Sequence, residues 1–133
     1  MKIVVDTNVV ISGLFFGGFP QRILSAIVNR KGIFAYATCD IVEEYREVVR
    51  ELVDRKQGHL NEALLTPLIE AIEIVQPVTE VQLSRDPDDD KFIGCAIDAK
   101  ALYIVSGDAD LLVLEKVGNV EIITARSFCE RFL

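Results

Sequence analysis

Carboxylate side chains are crowded into one short segment of the sequence, RDPDDDKF at 85–92. Its acids are Asp86, Asp88, Asp89 and Asp90. A helix start explains part of this crowding, since Asp86 can act as N-cap and Pro87 suits the first helical position. Four acids are more than capping and the helix dipole require, and extra like charges in adjacent turns cost roughly a few tenths of a kcal/mol per pair. The excess indicates that a cation is bound there.

Helical periodicity separates these acids by direction. At about 100° per residue, the apolar residues of the following helix form one stripe that faces the predicted sheet. That stripe consists of Phe92, Ile93, Ala96 and Ala99. Asp89 lies close to its middle, Asp86 and Asp88 fall to either side, and Asp90 points well away. Asp89 is therefore predicted to face the strand ends, where an acid needs a cation.

A second acid is selected in the same way from the helix predicted over Asp40–Lys56. Its first residues, DIVE, fit a capping box in which Asp40 caps the helix and Glu43 returns to the backbone. Glu44 lies nearer the sheet than Glu43 by about 40° of helical rotation. Glu44 is thus the candidate site residue, and Glu43 has a structural role.

Further acids follow two apolar strands. Asp6 comes directly after IVV, and Asp108 and Asp110 follow YIV in the segment SGDADLL. Each has a structural alternative, because Asp6 can be a solvated or turn residue and Asp108 can cap the next helix. The joint placement favours a site: the carboxyl ends of parallel strands share one edge, so Asp6, Glu44 and Asp89 would meet Asp108 or Asp110 there.

Alternating strands and helices predict one α/β domain over residues 1–133, with a central parallel sheet flanked by helices on both faces. The predicted strands are Lys2–Val5, Phe34–Ala37, Glu73–Val75, Leu102–Val105 and Val120–Ile123. The predicted helices are Gln21–Asn29, Asp40–Lys56, Leu60–Ile72, Asp88–Lys100, Asp108–Lys116 and Arg126–Phe132.

Composition restricts the function classes. The three cysteines are far apart and His59 is the only histidine, so neither a disulfide framework nor a zinc site is expected. No apolar run is long enough for a membrane helix, and a cytoplasmic protein without a membrane partner is expected. The net charge of −7 should repel nucleic acid unless cations stand between them. Oxygen-only ligands select Mg²⁺ or Mn²⁺, and such sites usually serve phosphoryl chemistry.

In three segments the sequence resembles the PIN-domain nucleases, in particular the toxins of VapBC-type toxin–antitoxin systems. The segments are IVVDTNVVIS, TCDIVEEYREVV and RDPDDDKFIGCAIDAKALYIVSGDADLL. The resemblance implies a Rossmann-like PIN domain that binds Mg²⁺ or Mn²⁺ and hydrolyses single-stranded RNA. It also implies a cognate antitoxin as a partner and a homodimer.

Residue by residue, the resemblance assigns the four catalytic acids to Asp6, Glu44, Asp89 and Asp108. Asp6, Asp89 and Asp108 would hold one or two metal ions, with Asp110 close behind. Glu44 would position or deprotonate the attacking water, and cleavage would leave a 5′-phosphate and a 3′-hydroxyl. Supporting positions are Thr7 or Asn8, Ser106, Asp86 through a water, and Asp90, which a one-residue slip would make the third acid.

Phosphate contacts are expected from basic side chains on the polar side of the long helix, mainly Arg46 and Arg50. The aromatic segment LFFGGF at 14–19 could stack unpaired bases, although closing the core or a dimer interface is the simpler role.

Three other functions share part of this pattern, and the first is the most serious alternative. A catalytically silent PIN-fold module that binds RNA or protein would share the fold. A receiver-type phosphoacceptor domain would need a lysine after the last strand, where VEIITAR has none. A dehalogenase-type phosphatase would need D-x-D at the first strand, and here Thr7 and Asn8 follow Asp6.

Overall fold

A six-stranded sheet forms the centre of the protein, which is described over residues 1–133 by a computed structural model. The strands are β1 Lys2–Val5, β2 Phe34–Ala37, β3 Glu73–Ile74, β4 Tyr103–Val105, β5 Lys116–Val117 and β6 Val120–Ile123. The helices are α1 Thr7–Phe15, α2 Gly18–Val28, α3 Cys39–Asp54, α4 Glu62–Ala71, α5 Asp90–Ala99, α6 Ala109–Leu112 and α7 Ala125–Phe132. A 3₁₀ turn over Pro87–Asp89 precedes α5.

The strand order is β3-β2-β1-β4-β6-β5, and every neighbouring pair is parallel except β5 with β6. The predicted α/β class with a central sheet flanked by helices is confirmed. The chain leaves β1 towards β2 and β3, then returns to place β4 on the other side of β1. Such a reversal opens a crevice at the carboxyl ends of the two strands, where ligands bind in open α/β sheets.

The central strands are buried on both faces, which explains why each is a short, continuous apolar run in the sequence. Ile3, Val4 and Val5 of β1 are buried, as are Ile104 and Val105 of β4. Strands buried on both faces are expected to read as unbroken apolar runs rather than as an alternation. One cluster of 33 buried apolar residues links the strands with the flanking helices. This packing fixes the positions of the carboxyl ends of the strands.

The start of α3 corrects the predicted capping box. Thr38 is the N-cap, and its Oγ1 accepts a hydrogen bond from the Ile41 backbone N–H at 3.2 Å. Asp40 therefore lies inside the first turn, and the DIVE interpretation of Asp40 and Glu43 is wrong. The helix begins earlier because Thr38 follows β2 directly, and a threonine hydroxyl can accept a hydrogen bond from a free N–H group of the first turn.

The region after β4 also differs from the prediction. The helix expected over Asp108–Lys116 is the single turn of α6, and β5 follows it as an antiparallel edge strand. Glu115 has φ 59° and Gly118 has φ 58°, so the backbone leaves the helix and then turns tightly into β6. A short hairpin of this kind has no apolar period to reveal it in the sequence.

An extended segment joins β3 to the 3₁₀ turn, and residues 76–86 are called the strap below. Asp98 of α5 accepts hydrogen bonds from the backbone N–H groups of Val78 and Thr79, at 2.8 and 3.1 Å, and from the Thr79 hydroxyl at 2.6 Å. The other end of the strap is held by Asp90, which accepts hydrogen bonds from the backbone N–H groups of Leu83 and Ser84. The strap therefore ties down the helix that carries the acid-rich segment.

No single helix is long and apolar enough to cross a bilayer, although α1 and α2, bent by 96° where they meet, reach that length and composition as a pair.

Candidate metal centre

Two of the predicted acids meet at the carboxyl ends of β1 and β4. Asp6 ends β1 and is the N-cap of α1, and Asp108 is the N-cap of α6 two residues after Ser106. The fully buried Ser106 joins them, because its hydroxyl donates to Asp6 Oδ2 at 2.6 Å and accepts the Asp108 backbone N–H at 3.0 Å. Neighbouring parallel strands thus supply two acids and the hydroxyl that sets their spacing.

Asp89 reaches the same edge from the 3₁₀ turn before α5. Its side chain is only 8% exposed, and its Oδ2 is buried without any hydrogen-bond partner. Burial, followed by the negative charges of Asp108, Asp86 and Asp6, raises the pKa of Asp89 to about 7. A buried carboxylate oxygen with no donor, surrounded by other acids, is favourable only where a cation can join it.

Asp89, Asp108 and Asp110 form a compact group, and one carboxylate oxygen from each lies within 4.8 Å of the others. Asp110 is partly held by Arg85, whose Nε lies 3.4 Å from Asp110 Oδ1. Asp6 does not belong to this group, but Ser106 links it to Asp108. The three acids, with Asp6 adjacent, are the set that could hold a divalent cation.

The environment of Asp6 is nearly closed. Burial is the main reason that the pKa of Asp6 is raised, while the hydrogen bond from Ser106 and the one from the Asn8 backbone N–H act in the opposite direction. The Asn8 contact to Asp6 Oδ1 is 3.4 Å long and comes from the backbone, and the Asn8 residue itself is exposed. Asn8 therefore supports Asp6 through its position at the start of α1.

Glu44 lies beside the acid group. Its carboxylate is held by two side chains whose contact with Glu44 was not predicted from the sequence. The Thr7 hydroxyl donates to Glu44 Oε2, and Lys91 Nζ forms an ion pair with Glu44 Oε1. The next residue, Tyr45, donates its buried hydroxyl to the backbone carbonyl of Val5. These contacts fix the second turn of α3 against the end of β1.

A signal for Lys91 was present in the sequence. A cation in the first turn of a helix opposes the helix dipole, so a lysine directly after three aspartates needs another reason for its place. The role of Thr7 differs from the prediction, which assigned Thr7 or Asn8 to orient Asp6. In the structure the Thr7 hydroxyl contacts Glu44.

Two of the remaining acids of the crowded segment, Asp86 and Asp90, have partners outside the group. Asp86 caps the 3₁₀ turn and accepts the Asp88 backbone N–H at 3.0 Å. Asp90 accepts the backbone N–H groups of Leu83 and Ser84 of the strap, at 3.1 and 2.7 Å. Asp90 therefore anchors the strap, and Asp89 is the one whose carboxylate faces the other acids.

Arg46 and Arg50 lie away from the acids. Both are exposed and line a groove of about 480 Å³ between α3 and α4, together with apolar side chains such as Val49 and Leu65. Arg46 follows Glu44 by two residues, or about 200° of rotation, so the two side chains leave α3 on different sides. The structure does not bring these arginines to the acid group, and their contact with RNA stays a prediction.

A family model described as PIN domain matches residues 2–110, which include all of the acids above. The chain belongs to the PIN-domain family. This PIN domain is also similar to the uncharacterized protein MJ1680 of Methanocaldococcus jannaschii, with 34% identity over 144 aligned residues that cover 99% of this chain and 92% of that protein. No solved structure matches the chain. PIN domains are usually nucleases that use divalent metal ions.

The residues of this PIN domain fit such an ion. Asp89, Asp108 and Asp110 offer oxygen ligands alone, which is the donor set preferred by hard divalent cations. The Oδ2 of Asp89 is buried without a hydrogen-bond partner, and one oxygen of the same carboxylate belongs to the group. Because one member is deeply buried and two are half-buried, a bound ion would remain open to a substrate on one side.

Proposed function

We propose that this PIN domain is a metal-dependent endonuclease that hydrolyses single-stranded RNA with Mg²⁺ or Mn²⁺. The observation that carries the proposal is the buried, unpartnered Oδ2 of Asp89 beside Asp108 and Asp110. A protein gains nothing in stability from such an arrangement, since a buried charge without a donor destabilises the folded state. Function explains why it is kept.

The roles of the residues follow from their contacts. Asp89, Asp108 and Asp110 would bind the ion, which when present would neutralise charge on the substrate phosphate and on the leaving oxygen. Asp6 and Ser106 hold Asp108 in place and complete the acidic wall. Glu44 is fixed by Thr7 and Lys91, and because each carboxylate oxygen can accept more than one hydrogen bond, it can still orient a water for attack.

The choice of substrate is supported by charge placement and by the sequence resemblance. The overall charge is −7, so the charge of a bound polyanion must be balanced by the metal ion and by basic side chains around the acid group. Arg85, 89% exposed and 3.4 Å from Asp110, and the half-buried Lys91 are two such side chains. The preference for RNA, the toxin role, a cognate antitoxin and a homodimer are proposed from the resemblance to VapBC-type toxins.

Cleavage of an unstructured RNA, followed with Mn²⁺ and with chelator, tests the activity. We expect cleavage of RNA and not of DNA of the same sequence, with 5′-phosphate ends, and none in chelator. Asp89→Asn should reduce the rate by more than about 100-fold, since loss of an outer-shell partner alone costs 10–100-fold. Asp54→Asn, at an exposed acid near the end of α3, is the matched control and should keep full activity.

Equal activity of the wild type and Asp89→Asn would reject the nuclease and favour a catalytically silent module that binds RNA or protein. The toxin role has its own test, which is growth arrest on expression that Asp89→Asn abolishes. Normal growth with an active purified nuclease would reject the toxin role alone. Light scattering of the purified protein would decide the homodimer.

A further inference from the structure

One side of α1 is open to solvent and leads away from the acid group. Within the helix only Asn8 and Ser12 are not buried, and the exposed Phe16 follows directly after its last residue. Because these three positions are spaced by four residues, they lie along the same side of the helix. Asn8 stands next to Asp6, and Phe16 lies about 12 Å further along at a rise of 1.5 Å per residue. An extended substrate bound at the acid group can therefore follow α1 as far as Phe16.

The structure divides the aromatic segment 14–19 into residues with different surroundings. Leu14 and Phe15 are buried in the core, whereas 69% of Phe16 is exposed. No other aromatic side chain of the protein is exposed to the same extent. Packing within the chain therefore explains Leu14 and Phe15, and it leaves the ring of Phe16 free to contact another molecule.

The charge of this part of the chain favours a polyanion as that molecule. Residues 7–39 contain three basic side chains and no acid, although the net charge of the protein is −7. The loop after α3 lies against Phe16, since a Cβ atom at Gly58 would be 3.5 Å from an atom of the Phe16 ring. This loop also carries Lys56, which lines a cavity of about 430 Å³ opposite a single acid, Glu62. A phosphate backbone near Phe16 would meet less repulsion than over the acid-rich second half of the chain.

We infer that the Phe16 ring stacks on an unpaired base of the RNA substrate, in a strand that runs from the acid group along the side of α1 that carries Asn8 and Ser12. The inference rests on the proposed function, of which it specifies how a single strand is recognised. An aromatic ring stacks on any unpaired base, because every base has a π face. Bases inside a duplex are stacked on their neighbours and offer no such face. Phe16 therefore selects for single strands and not for a sequence.

A fluorescent side chain at position 16 tests the stacking directly. The protein has no tryptophan, so Phe16→Trp introduces a single indole signal. The measurement uses Ca²⁺ in place of Mn²⁺, and a gel run afterwards checks that the RNA is intact. A short unstructured RNA should quench the indole fluorescence as it binds. The same RNA annealed to its complement should not quench it, and neither should an abasic ribose-phosphate oligomer of equal length.

Fluorescence anisotropy of labelled RNA measures how much the ring contributes to binding. Phe16→Ala should weaken binding by about 5- to 150-fold, the effect of removing one base–aromatic stack. Phe16→Leu keeps an apolar side chain without a π face and should also weaken binding, whereas Phe16→Tyr should bind like the wild type. Leu102→Ala is the matched control, because Leu102 is 50% exposed and lies just before β4, at the sheet edge opposite the acids.

The failure of this inference and the failure of the proposed function give different results. Wild-type affinity in Phe16→Ala, or bound RNA that leaves the Phe16→Trp signal unquenched, would overturn the inference and leave the nuclease intact. Quenching without any Mn²⁺-dependent cleavage by the wild type would support the stacking and reject the nuclease. A wild type that binds no RNA would overturn both.

A protein interface is the other use of an exposed ring, and light scattering separates it from base stacking. A changed oligomeric state in Phe16→Ala, with unchanged affinity for RNA, would assign Phe16 to contacts between protein chains and overturn the inference. Circular dichroism checks that each variant is folded, which is expected because the ring lies outside the core.

Discussion

Asp89 is the residue at which stability and function oppose each other. Its carboxylate is buried and one oxygen has no donor, and this burial, followed by the charges of neighbouring acids, raises its pKa to about 7. Every one of these features penalises the charged form in the folded state. A substitution that removes the charge and keeps the shape should therefore help the fold and damage the centre.

We expect Asp89→Asn to raise the Tm at pH 8 in chelator, because the amide is neutral and its N–H groups can donate to Asp108. An increase of about 1 kcal/mol in the free energy of unfolding would raise the Tm of a domain of this size by roughly 4 °C. The same variant should lose the further stabilisation that Mn²⁺ gives the wild type. Differential scanning calorimetry with and without the ion measures both effects.

Asp90→Asn is the matched comparison, since it changes the same group one position along the chain. Asp90 accepts two strap N–H groups, so its amide variant should lower the Tm and keep the response to Mn²⁺. The opposite pattern, with the metal response lost at position 90 and kept at 89, would make Asp90 the third acid.

The sequence predicted these acids better than it predicted their partners. Helical geometry selected Asp89 over Asp90 and Glu44 over Glu43, because a carboxylate on the apolar stripe must face the sheet. The contacts of Lys91 and Thr7 with Glu44 join α5 and α1 to α3, over sequence separations of 47 and 37 residues. Such pairings depend on how helices lie against each other, and periodicity within one helix carries no information about that.

At the scale of elements, α5 acts as the platform for the centre, and the strap fastens it. Asp98 holds the start of the strap and Asp90 holds its end. Between them the helix and the strap come so close that a Cβ atom at Gly94 would lie 2.8 Å from the Thr79 carbonyl oxygen. The absence of a side chain at Gly94 is what permits this approach.

Gly94→Ala should therefore destabilise the protein by about 1–3 kcal/mol, the usual cost of overpacking a close contact. Helix propensity alone would give the opposite sign, because alanine is favoured over glycine inside a helix by about 1 kcal/mol. Gly107→Ala is the control, since a Cβ there meets no atom within 4 Å. Urea unfolding measures the difference, and a stabilised Gly94→Ala would show that the strap does not press on α5.

Element boundaries were predicted correctly where a short apolar run stands out from its flanking residues. The strands predicted over Lys2–Val5, Phe34–Ala37 and Val120–Ile123 have those bounds in the structure. The start of α3 did not, because Thr38 and Asp40 are both good caps and only the path of the chain out of β2 decides between them. The β5 hairpin was missed because two residues cannot show a period.

At the scale of the whole molecule, the sheet order brings together acids that are separated by about a hundred positions in the chain. Asp6 and Asp108 meet because β1 and β4 are neighbours, and Asp89 joins them because the 3₁₀ turn before α5 lies at the same edge. The alternation of elements predicted this edge, although it did not predict the strand order. This arrangement concentrates negative charge at one edge of the sheet, and the stability of the folded state therefore depends on pH and on cations.

In chelator, the Tm should fall as the pH rises from 5 to 8. The Asp89 carboxyl keeps its proton in the folded state up to a pKa of about 7, whereas the unfolded group loses it near 3.8, and the raised pKa of Asp6 acts in the same direction. The folded state then binds more protons than the unfolded state, so stability decreases with pH over that window. Asp98, whose pKa is lowered by its bonds to Thr79 and Val78, contributes the opposite slope only in more acidic solution.

Mn²⁺ should reverse this decline, because the cation takes the place of the proton among the acids. Its stabilising effect is expected to be small at pH 5 and largest at pH 8, following the free energy of ligand binding to the folded state. Calorimetric scans at constant ionic strength, with Na⁺ replacing Mn²⁺ as the control, separate specific binding from screening. A Tm that rises equally with Mn²⁺ at both pH values, or an Asp89→Asn variant with the wild-type pH slope, would contradict a proton–metal exchange at Asp89.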